Sequence, residues 1–225
     1  MFRIKVCGVT SPEDAALAVE AGADAVGINF FAESARYVDP RVAAPIVEAV
    51  GKSATVVGVF VNESPERIVE ICGDLGIRVV QLSGREPADS AARMPFPVIK
   101  AVHGEGGVSL EAFRDYPCNA FLLDAAVPGR YGGTGRALDW KVLGRTVGGP
   151  LVRFGATGST GSGRPWLLAG GLTPENVAEA IRTARPFGVD VASGVEAAPG
   201  KKDPGKVKSF VDNAWEGFGV AGIGK

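Results

Sequence analysis

Apolar residues along this chain come in short, near-continuous runs rather than in strict alternation. Such runs recur at 2–7, 25–30, 55–61, 78–82, 97–102, 120–124, 166–169 and 189–193. Val, Ile, Leu and Phe dominate them, as parallel strands covered by helices require. Between the runs, polar and apolar positions follow helical spacing at 12–21, 40–50, 65–75, near 86–93, 109–115, 139–146, 174–184 and 203–216. Polar residues precede proline at Ser11-Pro12, Asp39-Pro40, Ser64-Pro65, Thr173-Pro174 and Asp203-Pro204, a pairing that caps and starts helices. Pro45 falls inside the second helical stretch, so that helix starts late or kinks.

Strand and helix alternate over the whole chain, and no linker is long enough to separate domains. The pattern predicts an α/β protein, a (β/α)8 TIM barrel forming a single domain over 1–225. An open doubly wound sheet, the main rival, would more often have about five or six strands. One Gly/Ser/Thr-rich segment, 153–164, breaks the rhythm. It lacks the lysine of a phosphate-cradling P-loop and precedes a strand rather than a helix, so it reads as a flexible surface insertion.

Composition narrows the class. The chain is 46% hydrophobic and 22% charged, enough for a sizeable core, with a net charge of −1. No basic field calls for nucleic acid or an anionic membrane. No apolar run reaches the roughly 18 residues of a membrane helix, and a strand starting at residue 2 leaves no room for a signal peptide. Cys7, Cys72 and Cys118 are an odd number without metal-like spacing, so neither a disulfide framework nor a metal site is expected. These features predict a cytoplasmic protein.

In a barrel of this kind, chemistry sits where strands end. Cys7 closes the first strand, beside the glycine turn that leads into Ser11-Pro12. It is either a small buried apolar residue or, with a helix start and Lys5 nearby, a base with a depressed thiol pKa. Asp124 closes the apolar run 120–124. It is either a cap or ion-pair partner, or a carboxyl whose pKa burial raises into a range useful for general-acid work. Two glycine-bearing turns follow the last two strands: Gly170 and Gly171 before Thr173-Pro174, and Ser193-Gly194 after Asp190. They are either ordinary glycine turns or, as their place at the usual phosphate grip of this fold favours, an anion site built from backbone N–H groups, and each is expected to open a helix.

The loop after the sixth strand carries Gly132-Gly133-Thr134-Gly135 and is too long for a simple turn; it is either a lid that closes over a substrate or merely a mobile connection. Arg36, after the second strand, is either a surface residue or a partner for a substrate carboxylate. His103, the only histidine, is expected in solvent and is given no role.

Read in order, the motifs resemble the phosphoribosylanthranilate isomerase family. They are Lys5-Val6-Cys7-Gly8-Val9-Thr10, Arg36-Tyr37-Val38, Val57-Gly58-Val59-Phe60-Val61-Asn62, Val80-Gln81-Leu82, Leu123-Asp124, Gly132-Gly133-Thr134-Gly135 with Asp139-Trp140, Leu168-Ala169-Gly170-Gly171-Leu172, and 188–196. The resemblance implies a cofactor-free Amadori rearrangement in tryptophan biosynthesis. N-(5-phosphoribosyl)anthranilate would become 1-(2-carboxyphenylamino)-1-deoxyribulose 5-phosphate. It implies Asp124 as general acid and Cys7 as general base, with Arg36 on the anthranilate carboxylate. Gly170, Gly171, Ser193 and Gly194 would hold the phosphate, and Asp190 would contact a sugar hydroxyl. The partner is thus a small phosphosugar, with no metal, cofactor, nucleic acid or membrane, and the chain would be a monomer or homodimer. Two positions depart from the family: Ser83 stands where members often carry histidine, and Ala35 where proline often precedes the arginine.

Related readings fare less well. The barrel isomerases of histidine biosynthesis resemble this chain but carry aspartate where Cys7 stands. A ribulose-phosphate epimerase would need metal-binding histidines. A non-catalytic phosphosugar-binding barrel would not need both Cys7 and Asp124.

Overall fold

The computed structural model describes residues 1–103, 113, 115–124 and 164–219. Eight parallel strands close into a barrel in sequence order: β1 (Ile4–Cys7), β2 (Ala25–Asn29), β3 (Thr55–Phe60), β4 (Val79–Leu82), β5 (Val98–His103), β6 (Ala120–Asp124), β7 (Trp166–Leu168) and β8 (Gly188–Val191). Closure is made by β1 pairing with β8, Ile4 opposite Val189 and Val6 opposite Val191. All eight strands therefore end on one rim, where the expectation of a (β/α)8 fold placed them.

Alternation within each strand makes two layers. Phe2, Ala25, Val57, Ile99, Ala101, Ala120, Leu122, Leu167 and Ala169 pack together in the barrel interior. The other strand positions, among them Ile4, Val26, Val80, Val102, Leu123 and Val189, pack outward with helix residues Ala15, Ile46, Ile68, Ile181 and Phe210. Full burial of each such large side chain contributes on the order of 1.5–3 kcal/mol.

The helices are α1 (Pro12–Glu20), α2 (Ala44–Val50), α3 (Pro65–Leu75), α4 (Ala88–Ala92), α5 (Val177–Ala184) and α6 (Pro204–Gly217). Ser11, Ser64 and Asp203 cap as their sequence positions predict, accepting from Asp14 N, Arg67 N and Lys206 N. Three expectations need correction. The stretch 40–50 is not one helix, and of the two outcomes Pro45 allowed it is the late start that holds: Asp39 caps a 3-10 turn, Pro40–Val42, and α2 begins only at Ala44, which puts Pro45 in its first turn where no N–H is missed. Thr173-Pro174 does not open α5. Asn176 accepts from Thr173 N at 2.8 Å and donates to Gly171 O at 2.9 Å, so its side chain holds a turn and the helix starts after it.

The third concerns the end of β8, which leads into a 3-10 turn, Ser193–Val195, and then an antiparallel hairpin of β9 (Glu196–Ala198) and β10 (Lys201–Lys202). Its bend at Pro199-Gly200 puts Gly200 at φ +81°. The expected helix at 139–146, nearly all of that at 109–115, and the Gly/Ser/Thr segment up to residue 163 lie outside the described residues. Among the described residues no helix is long and apolar enough to cross a membrane.

Candidate active site

An open cavity of about 900 Å³, mouth included, sits at the C-terminal rim of the barrel. Its wall contains Cys7, Arg36, Asp124, Gly170, Gly171, Asp190, Ser193 and Gly194, residues drawn from five different strand ends. The structure brings these sequence-selected positions together in one place. Gly132, Gly133, Thr134 and Gly135, selected as a lid, lie outside the described residues.

One side is built on β1 and β8. Lys5 and Cys7 both point into the barrel, and Lys5 is completely buried. Its Nζ donates to Asp190 Oδ1 at 2.8 Å. Room for this cluster comes from Gly27 on β2: a Cβ there would lie 2.7 Å from Cys7 Sγ and 3.1 Å from Lys5 Nζ. Burial alone would lower the Lys5 pKa, but Asp190 and Cys7 draw it upward overall, so the ammonium stays charged. Cys7 departs from the expectation of a depressed pKa. Burial pushes its thiol up, Lys5 pulls it back, and Asp190 adds to the rise. Desolvation of a thiolate outweighs one neighbouring cation. Asp190 faces the cavity, as a sugar-hydroxyl contact would require, with Oδ1 already engaged by Lys5.

Arg36 reaches this side from the loop after β2. Its Nε and Nη2 donate to Glu196 Oε1 and Oε2, both at 2.7 Å, in a parallel fork. Gly8, at φ +69°, lies under the Arg36 side chain so closely that any Cβ would collide with Arg36 Cδ. Glu196 is held in turn by Lys202, whose Nζ donates to Glu196 Oε1 at 3.1 Å, to Cys7 O at 2.7 Å and to Ala192 O at 3.1 Å. Burial raises the Glu196 carboxyl, yet Arg36 and Lys202 bring its pKa below the ordinary value overall. The hairpin β9–β10 thereby ties Arg36, the backbone of Cys7 and the turn after β8 into one buried network.

The opposite side is built on β5 and β6. Asp124 ends β6 with 16% of its side chain exposed. Its pKa is raised, first by burial and further by Asp190, against the lowering effect of His103 and Lys5. His103 stands directly opposite Asp124 in the strand register, and its Nδ1 lies 3.9 Å from Asp124 Oδ2. Its Nε2 is 2.9 Å from the Ser83 carbonyl. His103 is thus a wall residue of the cavity, in contrast to the solvent position expected for it.

The third part of the wall is backbone. Gly170 and Gly171 adopt φ +84° and +65°, which turns the chain sharply after β7. Gly194 packs so tightly on Leu172 O that a Cβ would overlap it. No protein acceptor among the described residues takes the N–H groups of Gly170, Gly171, Ser193 or Gly194. Neither turn runs straight into an α-helix, so an anion here would meet a concave nest of N–H groups rather than a helix N-terminus.

Three contributors to the site, His103, Glu196 and Lys202, were not among the residues expected there. His103 was legible: it continues the inward series Ile99, Ala101, and ending the strand at residue 102 hid it. Glu196 and Lys202 were not, because a buried ion pair between two short strands leaves no periodicity. The Pro199-Gly200 pair was the one signal of a turn there.

Comparison with known proteins follows the same lines. The family model for N-(5'phosphoribosyl)anthranilate (PRA) isomerase matches residues 4–213. The N-(5'-phosphoribosyl)anthranilate isomerase of Trichlorobacter lovleyi is 44% identical over 216 residues, 96% of this chain and 99% of that protein. The crystal structure of phosphoribosyl anthranilate isomerase from Thermotoga maritima superposes with a TM-score of 0.83 at 39% identity, over 96% of this chain and all 100% of the other. A crystal structure of phosphoribosyl anthranilate isomerase in complex with reduced 1-(o-carboxyphenylamino)-1-deoxyribulose 5-phosphate aligns with a TM-score of 0.79 at 38% identity, covering 96% and 100% of the two chains. By its motifs, its barrel and these relatives, the chain belongs to the N-(5'-phosphoribosyl)anthranilate isomerase family.

Proposed function

We propose that this chain, acting as one barrel domain, converts N-(5'-phosphoribosyl)anthranilate to 1-(o-carboxyphenylamino)-1-deoxyribulose 5-phosphate, with Asp124 as general acid and Cys7 as general base. The observation that carries the reading is that Cys7 on β1 and Asp124 on β6 line opposite sides of one cavity whose third wall is a nest of backbone N–H groups. A related protein binds the reduced form of this product, which supports the substrate class.

The reaction is an internal redox shift and requires only proton transfers. Asp124, its proton favoured by burial, gives that proton to the furanose ring oxygen. The C1–oxygen bond breaks as the anilino nitrogen lone pair forms the C1=N bond, giving an open-chain Schiff base. Cys7 thiolate takes the C2 proton, and the electron pair moves through C1 to neutralise nitrogen, leaving an enolamine. A proton then moves from the enol oxygen to C1 to give the ketone.

The remaining roles follow from position. Lys5 holds charge beside Cys7, offsetting part of the cost of a buried thiolate. Arg36 keeps Nη1 for the anthranilate carboxylate while its other edge is fixed on Glu196. Gly170, Gly171, Ser193 and Gly194 receive the phosphate, and the second carboxylate oxygen of Asp190 takes a sugar hydroxyl.

The test is to generate phosphoribosylanthranilate in situ and follow its fluorescence on adding the purified chain with no cofactor, with and without a chelator. The expected result is rapid loss of emission that the chelator does not slow. Stable emission while a phosphosugar still binds would favour a binding protein and contradict the assignment.

A further inference from the structure

Among the described cavity residues, His103 is the one titratable group to which the proposed mechanism gives no task. Its geometry is specific. β5 and β6 pair in register so that His103 faces Asp124 on the same rim level, Nδ1 3.9 Å from Oδ2. The Nε2 atom sits 2.9 Å from the carbonyl oxygen of Ser83, at the end of β4. A carbonyl only accepts, so Nε2 carries a hydrogen in every protonation state of the ring. The atom that gains and loses the exchangeable proton is therefore Nδ1, the one turned toward Asp124.

The proton count of the reaction gives this arrangement a use. Each turnover removes one proton from Asp124, which stays on the former ring oxygen, and delivers the C2 proton to Cys7. Tautomerisation to the ketone moves one proton within the substrate and leaves that imbalance in place. Asp124 must be reprotonated and Cys7 deprotonated before the next cycle. Asp124 is mostly covered, and among the described residues Lys5 and Asp190 are the other charged groups that act on it, with Cys7 across the cavity. Lys5 is committed to Asp190, and Asp190 is itself a carboxylate.

We propose that His103 is a positioning and proton-supplying partner of Asp124: docked on the Ser83 carbonyl through Nε2–H, its imidazolium returns a proton from Nδ1 to Asp124 Oδ2 after each ring opening. The Nδ1–H bond breaks, the Oδ2–H bond forms, and the neutral imidazole regains its proton from water at the cavity mouth. A side-chain rotation that shortens 3.9 Å by about 1 Å makes the transfer direct, and such tightening on substrate binding is ordinary for acid–base pairs. The inference rests on Asp124 being the general acid.

His103→Gln keeps a donor for the Ser83 carbonyl but cannot carry a proton, and His103→Ala leaves a space for added imidazole. His103→Gln is expected to lower kcat about tenfold, less than the 10²–10⁴-fold worth of the general acid itself because water can still reload Asp124 slowly, with KM within about twofold of the parent. His103→Ala is expected to be similarly slow and to recover several-fold in imidazole buffer, with rates rising with imidazolium concentration. Because loss of the cation lets the Asp124 pKa rise, the acid limb of the pH profile should move to higher pH in both variants. Parental kcat in His103→Gln, or a slow His103→Ala indifferent to imidazole, would overturn the proposal. Activity surviving in Asp124→Asn would instead strike the general-acid assignment on which the proposal rests, so the two failures are told apart.

Discussion

The two sides of the cavity are built in opposite ways. On the β1/β8 side, ion pairs are locked at 2.7–3.1 Å: Lys5 on Asp190, and Arg36 and Lys202 on Glu196, with both lysines fully buried and Arg36 15% exposed. On the β5/β6 side, the Asp124–His103 pair is loose at 3.9 Å and reaches solvent, with 16% and 22% of the two side chains exposed. The proposed chemistry explains the difference. A thiolate base in a dry site needs a cation that cannot wander, since an uncompensated buried charge is costly. A general acid that must be reloaded every turnover needs exchange with water, which a locked pair would prevent.

The largest break in this contrast comes from Lys5→Met. It leaves the Asp190 carboxylate buried without its cation, which costs roughly 3–5 kcal/mol in stability. It also removes the charge that lowers the Cys7 pKa, so a lower melting temperature and near-complete loss of turnover are expected together. Thermal unfolding and the fluorescence assay measure both, and a stable, active variant would show that the locked side is not locked by this pair.

Glu196→Gln should be milder. It frees the Arg36 fork and is expected to weaken binding of the carboxylate-bearing reduced product about tenfold, or about 1.4 kcal/mol. Binding of ribulose 5-phosphate, which has no carboxylate, should change little. Titration calorimetry with the two ligands reads the difference, and equal losses would point to general disorder of the hairpin.

Gly27→Ala crowds the space shared by Cys7 Sγ and Lys5 Nζ and should cost about 1–3 kcal/mol, with some loss of kcat. Differential unfolding in urea checks it, and an unchanged midpoint would mean that the cluster has slack.

The smallest effect sharpens the contrast rather than breaking it. In the proposed mechanism the productive state needs Asp124 protonated and Cys7 ionised, yet both pKa values are raised and the carboxyl starts far lower. Between the two pKa values the pair holds one proton, and activity follows the minor tautomer with that proton on Asp124. Activity falls as pH drops through the Asp124 pKa, because Cys7 is then protonated too. It falls again as pH rises through the Cys7 pKa, because no proton remains to give. The profile of kcat/KM is therefore expected to be a bell, its acid limb displaced above the ordinary carboxyl range and its alkaline limb above the ordinary thiol range. A profile rising through the thiol range to a plateau would contradict the shared-proton description.

Much of this was legible in the chain. Continuous apolar runs and Ser/Asp-Pro starts located the strands and most helix caps, because backbone geometry and local hydrogen bonds determine them. Cys7 and Asp124 stood out as reactive groups closing apolar strands. What failed to show depends on contacts remote in sequence. The Cys7 pKa rises because eight strands exclude water from it, which no neighbour within the motif reveals. The start of α5 moved because Asn176 reaches back to Gly171 and Thr173. Glu196 meets Arg36 across 160 residues, and Lys202 meets Cys7 across 195. His103 was one residue beyond the assumed end of its strand, and only the register with Asp124 gives it meaning.

The division of labour between Cys7 and Asp124 is tested most directly by assaying Cys7→Ala and Asp124→Asn for turnover beside their affinity for the reduced product. Each variant is predicted to lose on the order of 10²–10⁴-fold in kcat, the usual worth of a positioned acid or base, while still binding that ligand. Parental turnover in either variant would contradict the account.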